Sequence, residues 1–103
     1  MRRLFYKFYG VRANIDQLQE ECGELIAVCN KYKRTLGFGY LTSCSKKKAF
    51  ENLIEEMADV ENCIIAIKYL LGIDQEQIDK IIEEKDDRIA KRIIEKRIEE
   101  SKG

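Results

Sequence analysis

Apolar side chains recur every three or four residues through three long segments of the chain, and this spacing restricts the fold more than any other feature. It is the spacing of one face of an α-helix, and no segment alternates as a half-buried strand does. We therefore predict an all-α fold with helices over about 14–35, 45–71 and 74–100. Asn14 and Ser45 have the positions of N-caps, and residues 37–45 have the composition of a turn.

The length of 103 residues indicates one domain, over 14–103, preceded by an arm of bases and aromatics at 1–13. A domain of this size buries only somewhat more than ~60% of its unfolded surface. The second helix is apolar around much of its circumference near 63–67. The predicted architecture is an antiparallel helical hairpin plus a third helix, completed to a four-helix-type bundle by dimerisation, as a homodimer or a dimer of dimers.

Composition excludes several functional classes. The chain has no His, which excludes His-based acid–base and nucleophilic catalysis. No apolar run approaches the ~18 residues of a membrane span, and the first residues lack the apolar core of a secretory signal. We therefore expect a cytoplasmic protein with no membrane partner. Cys22 and Cys29 lie among apolar residues and are expected to be buried thiols of a reducing compartment.

A net charge of zero hides a strong segregation of charge along the chain. Residues 13–30 and 49–67 contain acids but no base, whereas residues 1–12 and 31–48 contain bases but no acid. Helix surfaces usually mix the two signs. Two purely acidic helical segments indicate that something other than neighbouring Lys or Arg balances their charge.

The acids of these two segments form matching motifs. Glu21 and Glu24 on the first helix correspond to Glu56 and Asp59 on the second, 35 residues later. At about 100° per residue, Glu21 and Glu56 both fall inside the apolar arc of their helix. Unpaired carboxylates at a packed interface cost several kcal/mol, and a divalent cation removes that cost. An all-oxygen donor set suits Mg²⁺, with Mn²⁺ as the alternative ion. The predicted metal ligands are Glu21, Glu24, Glu56 and Asp59.

A simpler interpretation is that Glu21 and Glu56 lie at the rim of an interface, where they reach water or pair with Lys and Arg of the third helix. For a single acidic pair this interpretation would be preferred, because such pairs are common on solvated helices. Two pairs in matching phase, on segments without a base, favour the metal site.

The run Glu20-Glu21-Cys22-Gly23-Glu24, followed by Glu56-Met57-Ala58-Asp59, resembles the EExxE…ExxD signature of the MazG-like all-α nucleoside triphosphate pyrophosphohydrolases. The likeness extends over about residues 17–92 and includes the order of the three helices. It implies a Mg²⁺-dependent enzyme that cleaves (deoxy)nucleoside triphosphates between the α- and β-phosphates. The products are the monophosphate and pyrophosphate.

Three further residues are candidates for this chemistry. Lys85 interrupts the isoleucine stripe of the third helix, and Lys85 and Arg88 resemble the basic residues with which the family contacts phosphate. The commoner Lys-x-x-x-Arg spacing is absent, because Ile89 stands four residues after Lys85. Glu20 is the candidate to orient or deprotonate the attacking water, the alternative being a solvent-facing acid.

A rival hypothesis is a non-enzymatic helical interaction module whose basic arm contacts nucleic acid or a protein. Aromatic residues lie among the bases of the arm, at Phe5, Tyr6, Phe8 and Tyr9, as in surfaces that stack nucleobases. Packing of these rings on a partner subunit is the favoured interpretation, so nucleic acid is not an expected partner.

Overall fold

A computed structural model describes residues 2–37 and 45–103, without the side chain of Arg2. Over these ranges the chain forms three α-helices and no strand. They are α1 (Arg2–Arg34), α2 (Lys46–Leu71) and α3 (Gln75–Lys102). The all-α prediction is therefore confirmed. Most of the turn predicted at 37–45 lies outside the described residues.

The first helix begins twelve residues before the predicted start at Asn14 and is broken at Gly10. Gly10 has a φ of 81°, in the left-handed region that glycine tolerates because it has no Cβ. Asn14 is not an N-cap: its Nδ2 donates to the carbonyls of Gly10 at 2.6 Å and Tyr6 at 3.3 Å. The prediction failed because a capping amide and an amide that bridges a helix break look alike in sequence. We call residues 2–9 of α1 the arm helix.

The predicted limits of α2 are confirmed. Ser45 is the N-cap, and its hydroxyl accepts from the backbone N–H of Lys48 at 3.2 Å. Gly72 ends the helix with a φ of 66°, and its N–H donates to the carbonyl of Lys68. At the start of α3, the backbone N–H of Asp74 donates to Oε1 of Gln77 at 2.8 Å. This is the contact expected from the capping-box spacing.

Helices α1 and α2 pack as an antiparallel pair. The ring of Tyr6 lies 6.1 Å from that of Tyr69, and the ring of Tyr32 lies 6.2 Å from that of Phe50. The most deeply buried described residues are two alanines of α2, Ala49 and Ala66. Small side chains at these positions let the two helix backbones approach closely. The predicted hairpin is thus present, and it holds the midpoints of α1 and α2 side by side.

The contacts of the chain divide it into two units, Met1–Gly72 and Ile73–Gly103. The first contains the α1–α2 hairpin and the second contains α3. Every described residue of α3 except Ile78 is exposed. Among the described helices, none is long and apolar enough to cross a membrane. A single domain over 14–103 and the dimeric bundle stay predictions.

Candidate metal centre

Three carboxylates meet where the midpoints of α1 and α2 lie side by side. Glu21 and Glu24 come from α1 and Glu56 from α2, and one oxygen of each lies within 4.8 Å of the others. Glu21 and Glu24 can point to the same place because residues three apart share a helix face. Glu56 joins them because the antiparallel packing sets its turn of α2 beside theirs.

Two oxygens of this group are enclosed and have no hydrogen-bond donor. They are Oε2 of Glu21 and Oε2 of Glu56. Both residues are half-buried, as their places inside the apolar arcs predict, while Glu24 is exposed. When both are ionised, Glu21 and Glu56 are both acceptors. They can form a hydrogen bond with each other only when one of them is protonated. The site therefore lacks a positive partner among the described groups that surround it.

Because no positive group of the described residues lies beside the carboxylates, the pKa values of Glu56 and Glu24 are raised. Loss of hydration, and then the negative charges of Glu24 and Glu21, raise the pKa of Glu56 to about 7. The charge of Glu21 is the largest cause of the raised pKa of Glu24, and desolvation adds to it. Glu21 thus makes the ionisation of both Glu24 and Glu56 harder. A divalent cation would reverse this effect, because it favours the ionised form of every carboxylate that it contacts.

Gln17 belongs to the site although the sequence interpretation did not include it. Its Nε2 donates to Oε1 of Glu21 at 2.8 Å, which leaves Oε2 as the oxygen without a donor in the described chain. An amide four residues before a carboxylate on a helix is a recognised pairing, so the spacing of Gln17 and Glu21 could have identified it. Hydrogen bonds of this kind, from a residue that does not itself bind the metal, commonly orient metal ligands.

The fourth predicted ligand, Asp59, is not part of the three-carboxylate group. It is half-buried one turn further along α2, where it lines a shallow recess with Ala58, Glu61, Asn62 and Ile65. Its charge still contributes to the raised pKa of Glu56 and of the thiol of Cys63. Glu24 and Asp59 occupy equivalent places in the two motifs, yet Glu24 joins the group and Asp59 does not.

The remaining predicted site residues, Glu20, Lys85 and Arg88, are not part of the three-carboxylate group. Glu20 is exposed on α1, and its charge is one cause of the raised pKa of Glu24. Lys85 and Arg88 belong to the second unit, where they line an open recess with Ile89 and Arg92. All four of these α3 residues are exposed. Arg92 therefore adds a third cation to one face of α3.

The cysteines differ from the sequence interpretation. Cys22 and Cys29 are free thiols but are exposed, and Cys63 is free and half-buried. The prediction of buried thiols is therefore wrong for Cys22 and Cys29, because α2 covers the face of α1 that contains Glu21 and Leu25, and the two cysteines lie at the edge of that face. Burial is the main cause of the raised pKa of Cys63. Cys44 lies outside the described residues.

Comparison of the chain with protein-family models, with curated proteins and with solved structures found no match. The geometry and chemistry of these residues therefore carry the functional assignment proposed below.

The raised pKa of Glu56 predicts how the stability of the metal-free protein depends on pH. A carboxyl whose pKa rises from 4.5 in the unfolded chain to about 7 in the fold binds its proton more tightly when folded. Its stabilising contribution is complete below the unfolded value and is lost as pH rises through about 7. The melting temperature measured in EDTA should therefore fall as pH rises from about 5 through about 7, and it should level off above about pH 8.

Glu56→Gln should remove most of this pH dependence, because the amide has no charge to desolvate. Glu51→Gln, at an exposed position of α2 outside the group, is the matched control and should keep it. Equal slopes for the wild type and Glu56→Gln would contradict the account.

Proposed function

We propose that the chain is a Mg²⁺-dependent nucleotide pyrophosphohydrolase of the MazG-like type, with Mn²⁺ as an alternative ion. The observation that carries the proposal is the convergence of Glu21, Glu24 and Glu56 around enclosed oxygens that have no donor. Three carboxylates with no His or thiolate in the group form the donor set of a hard divalent ion. The donor-free Oε2 atoms of Glu21 and Glu56 support the fit, because a cation would satisfy both.

The substrate proposed is a (deoxy)nucleoside triphosphate, and the bond broken joins the α-phosphorus to the oxygen that bridges it to the β-phosphate. Water adds to the α-phosphorus, and the products are a nucleoside monophosphate and pyrophosphate. A bound Mg²⁺ would supply the neutralisation of phosphate oxygens that phosphoryl transfer requires. Among the chain's own residues, Gln17 would hold Glu21 in orientation and Glu20 would accept a proton from the attacking water.

Cations for the remaining phosphate charge are proposed on α3. The base-free stretches 13–30 and 49–67 contain the carboxylate group and supply no Lys or Arg to a polyanion. Lys85 and Arg88, with Arg92 beside them, form a face of three exposed cations on one helix. Asp59 remains a proposed ligand, which would join after a change of side-chain conformation.

The fold proposed for the active protein is a homodimer or dimer of dimers that completes a four-helix-type bundle. Large apolar side chains on α2 and α3 are about half exposed in the single chain, including Ile54 at 52%, Ile82 at 50% and Ile89 at 53%. Helices of this kind owe most of their stability to a covered apolar face. A second copy would cover these side chains. We propose a cytoplasmic location for this assembly.

Catalysis is tested by pyrophosphate release from a panel of nucleoside triphosphates. At least one should be hydrolysed with Mg²⁺ or Mn²⁺ present, and Glu21→Gln and Glu56→Gln should each lower the rate by at least about 100-fold, since metal stabilisation of phosphate charge is worth several kcal/mol. Glu51→Gln should retain the rate. Full activity in excess EDTA would contradict the proposal, and absence of any metal-dependent thermal shift would favour the interaction-module hypothesis.

The oligomer is tested by sedimentation equilibrium of the full chain. The mass should be at least twice the 12.1 kDa of one chain. Ile89→Asp should lower it, because a charged side chain would replace an apolar one in the proposed interface. Ala90→Asp introduces the same side chain at an exposed position about 100° away on the helix and serves as the control. A wild-type mass of one chain would contradict the proposed bundle.

A further inference from the structure

The arm helix has one side attached to α2 and one side free. Tyr6 packs against Tyr69, and Cζ of Arg3 lies 5.2 Å from the centre of the Tyr69 ring. These contacts, together with the Asn14 amide at the Gly10 break, hold the arm helix against the hairpin. The free side is therefore a surface of the folded unit.

The free side is a continuous apolar face. At about 100° per residue, Leu4, Phe5, Phe8 and Tyr9 fall within an arc of about 140°, and Arg3 lies opposite its centre. The four side chains are 68%, 53%, 81% and 66% exposed. Together they leave roughly 500 Å² of contiguous side-chain surface in water. Surfaces of this size on a soluble unit mark places of interaction.

The charged residues of the arm are all basic, and Lys7 lies beside the apolar face. Arg2, Arg3, Lys7 and Arg12 are the ionised side chains of the first twelve residues, and the first acid is Asp16. Lys7 and Arg12 are exposed. An apolar helix face with Lys and Arg at its borders is typical of helices that lie in the surface of an anionic bilayer.

We propose that the arm helix attaches the protein to anionic phospholipid membranes, with Leu4, Phe5, Phe8 and Tyr9 in the interfacial region and Lys7 at the headgroups. The attachment needs no membrane span. It therefore agrees with the lack of a spanning helix in the described chain, and it departs from the expectation from sequence that the protein has no membrane partner. The proposal does not depend on the metal site.

Two other occupants fit the arm less well. Nucleobase stacking needs open ring faces, and the edge-to-face contact of Phe8 and Tyr9, 5.2 Å apart at 89°, covers one face of this pair. The ring of Tyr6 already contacts Tyr69. A stable protein–protein interface buries about 800 Å² on each partner, more than the free face of the arm helix offers. A lipid surface requires no reciprocal protein face.

The test uses the full chain and phosphatidylcholine vesicles with or without phosphatidylglycerol. The chain has no Trp, so Phe8→Trp places a single fluorescent reporter on the free face. Its emission should shift to the blue with the anionic vesicles and be quenched by brominated lipid chains. Ile26→Trp, at a residue of α1 that is 64% exposed and outside the arm helix, is the matched control and should show neither effect.

Vesicle co-sedimentation of the chain without reporters gives a second measurement. Phe8→Ser should abolish pelleting with anionic vesicles, and Lys7→Gln should lower the partition coefficient about fivefold. Salt raised from about 0.1 M to about 1 M should release the wild type, because the Debye length falls from about 10 Å to about 3 Å. Unchanged melting temperatures would show that the variants fold.

Three results would overturn the proposal. One is failure of the wild type to pellet with anionic vesicles, and another is equal pelleting with phosphatidylcholine alone. The third is a wild type that does not bind vesicles but binds single-stranded oligonucleotides or self-associates, with that binding or self-association lost in Phe8→Ser. That result would assign the free face to nucleic acid or to a second copy.

Discussion

The contact between the carboxylates of Glu21 and Glu56 is the constraint on which the site depends. Two like charges face each other across packed helices, each with an enclosed oxygen that has no donor. Loss of hydration at this contact raises the pKa of Glu56 to about 7. In a chain with equal numbers of acids and bases, a nearby Lys or Arg would remove this cost. The base-free segments supply no Lys or Arg at this contact, and this lack is the reason for proposing a bound cation as the counter-charge.

The structure around this contact keeps the charge unpaired. Ala49 and Ala66 allow α1 and α2 to pack closely, and the antiparallel direction brings two motifs 35 residues apart to the same level. Gln17 donates a hydrogen bond to Oε1 of Glu21 and so orients the carboxylate, whose Oε2 has no donor among the described residues. The bases of the first unit lie mainly in the arm helix, in the last turn of α1 and in the first turn of α2. Negative charge is thereby concentrated at the middle of the hairpin.

Much of the fold could be predicted because helical periodicity and caps are local. Ser45 and Gly72 limit α2 as expected, and the wheel placed Glu21 and Glu56 at the α1–α2 contact. The break at Gly10 could not be predicted, because it depends on an Asn14 amide that also resembles an N-cap. Asp59 was assigned to the carboxylate group from the symmetry of the motifs. Side-chain direction at a helix crossing is a tertiary property, and it separates Glu24 from Asp59.

The most direct test of the central claim is anomalous diffraction from crystals of the protein grown with Mn²⁺. The account predicts an anomalous peak at coordinating distance from carboxylate oxygens of Glu21, Glu24 and Glu56, and its loss in Glu56→Gln crystals. A wild-type structure with these three carboxylates paired to Lys or Arg, and no peak between α1 and α2, would contradict it.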